Sequence, residues 1–133
     1  MEGVTLDGKR SVLIVDQSEE TREVLRTALE RRGRRILTTH RARRGLELAG
    51  HHHPDLIVLD LDLDDSGPET LSARFAKQAG THPSYLVMLG SLKRNGSQVS
   101  DGEFVSKPYH YASLIRRIEE LLDTAPQTAA RSA

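Results

Sequence analysis

The chain has no cysteine and no tryptophan among its 133 residues, and aromatics make up only 4% of it. Without cysteine there is no disulfide and no thiolate metal site, which fits the cytosol. So few aromatics argue against a platform for stacking nucleic-acid bases. Neither sign of charge is in excess: Lys and Arg total 19, as do Asp and Glu. No overall field therefore draws the protein to nucleic acid or a membrane surface. No apolar run approaches the ~20 residues that span a bilayer. The opening MEGVTLDGKR has no apolar h-region of a signal peptide.

What is present is a series of short apolar runs, each ending in a chemically useful residue. Leu56 to Leu59, in PDLIVLDLDLDDSG, reads as a strand buried on both faces and delivers Asp60 where it emerges. SVLIVD ends similarly at Asp16, YLVML at Gly90 and Ser91, and EFVSKP at Lys107. Helical spacing fills the gaps. Ser18 suits an N-cap, with Glu19 and Glu20 in the first turn. Val24, Leu25, Ala28 and Leu29 recur on one face, and Gly33 suits the position just past the end. Ile36 to Thr39 is a strand. Arg43 to Ala49 is a short helix, with Leu46 and Ala49 inward. Gly67 to Gln78 is a helix with Leu71 and Phe75 inward. Leu114, Ile115, Ile118, Leu121 and Leu122 give the last helix an apolar stripe. The segment from Leu92 to Gly102 has weak periodicity and two glycines, so a helix there is expected to be short or missing. Residues 1–9 read as a leader, 10–123 as the domain, and 124–133 as a flexible tail.

Strands alternating with helices indicate an α/β fold with a parallel sheet and helices on both faces. Such sheets bind ligands beyond the carboxyl ends of their strands. Two carboxylates, a hydroxyl and an ammonium at that edge suit phosphoryl transfer onto a carboxylate. That chemistry needs positioning and charge neutralisation, by Mg²⁺ and a Lys, more than it needs a base. Asp60 is the candidate nucleophile and a metal ligand, and Asp16 a second ligand. The backbone carbonyl of Asp62 offers a third oxygen, and Lys107 a cation for the phosphoryl group. A cis Lys107–Pro108 bond is one way to aim that lysine inward.

At this point the residues resemble the receiver domain of two-component response regulators. The resemblance runs from residue 10 to 123 and rests on VLIVDQ, PDLIVLDLDL and FVSKP, in order and at compatible spacing. It implies a flavodoxin-like doubly wound sheet of five parallel strands in the order 2-1-3-4-5. It implies a single-domain signalling switch, not a turnover enzyme, with Asp60 phosphorylated by a histidine kinase or phosphotransfer protein in a phosphorelay. Mg²⁺ is the implied cofactor, a protein target lies downstream, and a homodimer is left open. Nucleic acid and membrane are not expected partners, and a cytoplasmic location is expected. Matched by position, Asp60 is the phosphoacceptor, Asp16 the first of the acidic pair and Lys107 the lysine. Phe104 is the aromatic switch residue. Two positions depart from the pattern. Gln17 stands where a second acidic metal ligand is usual and offers only an amide oxygen. Gly90 stands at the hydroxyl-bearing switch position, so Ser91, one residue late, is the stand-in for contact with the phosphoryl group.

Competing readings use the same residues. Gln17 reads equally as a polar loop residue. Asp62, Asp64 and Asp65 read as a solvated acidic loop, or one of them, Asp62 first, restores the charge missing at Gln17. Asp62, Asp64, Ser66 and Gly67 match the start of a calcium loop, but position twelve is Ala73 instead of a bidentate Glu. DLDLD resembles the DxD motif of haloacid-dehalogenase-like phosphatases without that family's later acidic motif. His51 to His53 read as a solvated loop. RRGRR and HRARR fall on opposite ends of the second strand and read as helix-end charge. The departures at Gln17 and Gly90 also support an alternative, a pseudo-receiver that binds partners without phosphorylation.

Overall fold

A computed structural model describes residues 9–63, 68–79, 84–91 and 102–124. Five strands are present among them: β1 (Ser11–Val15), β2 (Arg35–Thr39), β3 (Leu56–Asp60), β4 (Tyr85–Gly90) and β5 (Glu103–Ser106). Four helices accompany them: α1 (Glu19–Arg31), α2 (Ala42–His52), α3 (Pro68–Ala79) and α4 (Tyr111–Thr124). The sheet is wholly parallel, in the order β2-β1-β3-β4-β5. This is the expected flavodoxin-like arrangement.

Alternation along each strand divides the core into two layers. Val12, Ile14, Leu56, Val58, Val87 and Leu89 face α1 and α4, where Leu25, Leu29, Leu114 and Ile118 meet them. Leu13, Val15, Ile57, Leu59, Leu86 and Met88 face α2 and α3, where Leu48, Ala49, Leu71 and Phe75 meet them. A fully buried Leu or Phe contributes roughly 1.5–3 kcal/mol, so these layers hold the strand ends in register. The register then sets the site. Val15 lies opposite Leu59, Asp60 opposite Leu89, and Gly90 opposite Ser106.

Local signals account for the helix ends. The Ser18 side chain accepts from Thr21 N–H, and Gly33 takes a φ of 86° just beyond α1. All five residues of the α4 stripe are buried. The second helix differs from expectation. It begins one residue earlier and runs three further, through His52, and its buried residues are Gly45, Leu48 and Ala49. Leu46 is only half-buried, because the helix turns Leu48 to the sheet instead. The histidines 51–53 are exposed. Thr124 closes α4, its hydroxyl donating to the Glu120 and Leu121 carbonyls. The segment expected to hold a short or missing helix, 92–102, lies outside the described residues except for Gly102, as do residues 1–8, 64–67, 80–83 and 125–133.

Candidate functional site

Asp16 follows β1 directly, Asp60 ends β3, Gly90 ends β4 and Lys107 follows β5. Strands about 4.8 Å apart in this register bring the four positions to one edge. Asp60 is fully buried and Asp16 is 2% exposed. Each is held by backbone donors from the turns that follow β1 and β3. Asp60 Oδ1 accepts from Asp62 N–H at 3.0 Å, and Oδ2 from Gln17 N–H at 3.3 Å. Asp16 Oδ1 accepts from Ser18 N–H at 2.8 Å. Arg22 reaches back from α1 and donates to the Asp16 carbonyl at 2.7 Å.

Lys107 arrives from the far side of β4. Its N–H donates to the Gly90 carbonyl at 2.8 Å, and the Lys107–Pro108 bond is cis. Its ammonium donates to Asp60 Oδ1 at 2.8 Å and to Asp62 Oδ2 at 3.2 Å. Burial pulls this lysine's pKa down, but the bonds and charges of Asp60 and Asp62 outweigh it, and the net shift is upward. The cation therefore stays charged.

Asp16 has no such partner. Burial raises its carboxyl to about 6; the Ser18 N–H and the Lys107 charge oppose this, while the charge of Asp60 adds to it. The same negative edge, after burial, pushes the Tyr109 phenol up to about 12. Two buried carboxylates this close hold an excess of negative charge that one ammonium does not cancel. Such a pair suits a divalent cation. Among the described residues no three acidic or imidazole side chains gather as a ready-made metal site. That does not exclude Mg²⁺, which needs only one or two carboxylates with waters and carbonyls. Asp16 and Asp60 would be those carboxylates.

The tentative residues fall differently. Gln17 is exposed, and what reaches Asp60 is its backbone N–H. Ser91 is exposed, and its backbone N–H donates to Asp62 Oδ2 at 3.1 Å. Gly90 is buried under the Phe104 ring; a Cβ added there would meet ring carbons at 3.0 and 3.2 Å. The space a side chain at position 90 would need is thus taken by the aromatic. Sequence reasoning missed the pairing of the Asp62 side chain with Lys107. Its position two residues after Asp60 was the available signal, but periodicity does not give the direction of a side chain in a turn.

A family model for the response regulator receiver domain matches residues 12–119. The chain belongs to that family. The KDP operon transcriptional regulatory protein KdpE of Escherichia coli is 32% identical over 123 residues, which is 90% of this chain. This chain spans only about half of that relative, 54% of its length. The polar-differentiation response regulator DivK of Brucella ovis is 29% identical, over 87% of this chain and 98% of the relative. Among solved structures, a two-component response regulator from Clostridium difficile superposes with a TM-score of 0.76 at 20% identity, covering 90% of this chain and 100% of that one. At that identity the likeness establishes the fold.

Proposed function

We propose that this protein is a phosphorelay receiver whose Asp60 accepts a phosphoryl group from a histidine kinase or phosphotransfer protein. The observation that carries the reading is the buried Asp60 carboxylate bonded to Lys107 at 2.8 Å beside Asp16. A carboxylate oxygen attacks phosphorus. The new O–P bond forms as the bond from phosphorus to the donor breaks, and the donor leaves with the electron pair. Asp60 Oδ1 is engaged by two donors and Oδ2 by one longer contact, so Oδ2 has the freer lone pairs. Lys107 is placed to neutralise charge on the transferred oxygens, and no general base is required. Bound Mg²⁺ would supply further neutralisation between Asp16 and Asp60. The protein then acts as a signalling switch in a two-component pathway and passes its state to a protein target. A cytoplasmic location is part of this proposal; separately, no described helix is long and apolar enough to cross a membrane.

Incubation with acetyl phosphate and Mg²⁺ tests the reading. A phosphate-sized mass increase is expected that is absent from Asp60→Asn. A folded protein that takes up no phosphoryl group at high donor concentration overturns it in favour of phosphorylation-independent binding.

A further inference from the structure

The pocket over Asp60 already contains an anion. Asp62 Oδ2 accepts from the Lys107 ammonium at 3.2 Å and from the Ser91 N–H at 3.1 Å. An ammonium and a backbone N–H converging on one oxygen are the donors a transferred oxyanion requires. They come from separate strand ends, β5 and β4, and meet only at this edge.

We propose that the Asp62 carboxylate is a built-in occupant of this anion pocket, which an incoming phosphoryl group must displace. The inference rests on the phosphoacceptor reading of Asp60 and adds a resting-state competitor to it. The backbone of Asp62 is anchored, since its N–H is bonded to Asp60 Oδ1 at 3.0 Å. Its side chain is freer: it is 34% exposed, while that of Asp60 is 0% exposed. Asp62 can therefore rotate toward solvent without the turn moving. Phosphoryl oxygens on Asp60 would need the same ammonium and N–H, and two anions cannot share them without repulsion. Asp62 thus keeps Lys107 paired at rest and sets a threshold that phosphorylation must cross. It acts through Lys107 and Ser91, as a positioning residue.

The opposite role, replacing the charge missing at Gln17 for the metal, predicts opposite results. The test titrates inorganic phosphate into ¹⁵N-labelled protein with Mg²⁺ and follows the Ser91 and Lys107 amide resonances. Asp62→Asn preserves the shape and removes the charge, and the same spectra report whether it folds. Its phosphate midpoint is expected at roughly tenfold lower concentration than that of the unmodified protein, with the Mg²⁺ midpoint unchanged. An equal or higher phosphate midpoint overturns the proposal, and so does a weakened Mg²⁺ midpoint. Acetyl phosphate labelling is run alongside. If neither protein forms an adduct while the phosphate midpoints still differ, the phosphoacceptor reading fails and the competition by Asp62 stands. If both form adducts and the midpoints agree, the reverse holds.

Discussion

The two rims of the sheet handle charge in opposite ways. At the amino rim two arginines pair with carboxylates of neighbouring elements. Arg34, just before β2, pairs with Glu119 and Asp123 of α4, and Arg117 pairs with Glu103 at the start of β5. Asp55, before β3, accepts from Ser11 N–H at 2.8 Å. At the carboxyl rim the Lys107 ammonium pairs with both Asp60 and Asp62 beside Asp16, and Asp16 and Asp60 are buried. Matched pairs join elements. An unmatched buried carboxylate costs stability, since desolvation disfavours its charged form. A protein keeps such a cost where a cation or phosphoryl group is to be bound. The contrast locates the site without reference to any relative.

Removing the cation paired with Asp60 should have the largest effect. Lys107→Ala leaves Asp60 buried without its partner, and a loss of about 2–4 kcal/mol at neutral pH is expected in denaturant unfolding without metal. Phosphoryl uptake from acetyl phosphate should fall with it. A stability change under half a kcal/mol would mean that the two rims do not differ.

Asp16→Asn should act in the opposite direction. The folded state holds the Asp16 proton more tightly than the unfolded chain, with a pKa of about 6 against 3.8. The folded state therefore binds more protons between those values, and stability falls as pH rises through them. The contribution is fully present below about pH 4 and is lost above about pH 6. Replacing the carboxyl should stabilise the metal-free protein by on the order of 2 kcal/mol at pH 7 and flatten the pH profile over that window. It should also weaken Mg²⁺ binding. A metal-free Asp16→Asn protein less stable than the parent at pH 7 would contradict this sign.

Gly90→Ala sharpens the comparison within the carboxyl rim. The new Cβ meets the Phe104 ring, so the ring must shift, at a cost of about 1 kcal/mol. In Phe104→Ala the same substitution should cost less, and a double-mutant cycle reads the coupling. Strict additivity would show that the ring does not fill that space. The smallest effect belongs to the amino rim. Arg117→Ala, at a pair 42% and 35% exposed, should change stability only slightly, and by less at high salt. A larger loss than that of Lys107→Ala would reverse the ranking of the rims.

Much of this was legible in the residues. The three central strands were visible because a strand covered on both faces must be apolar at nearly every position, as in LIVL before Asp60. The α4 stripe was visible for the same reason, applied at helical spacing. The end of α2 was not legible, because His51 and His52 carry no apolar signal and helix termination there is set by His53 at a φ of 48°. In the site, Asp16, Asp60 and Lys107 were identified because each ends an apolar run. Ser91 was considered for its hydroxyl, yet its backbone N–H makes the contact, and every residue but proline carries one.

The order of apolar runs and their terminal residues determined by themselves an alternating α/β chain with carboxylates and an ammonium delivered at strand ends. Burial demands a local pattern, and local patterns are written in the sequence. Only the tertiary structure decided that Asp62 shares Lys107 with Asp60 and that Phe104 lies over Gly90. Those contacts join residues on different strands or turns, and their geometry depends on register and turn direction, which no single segment encodes.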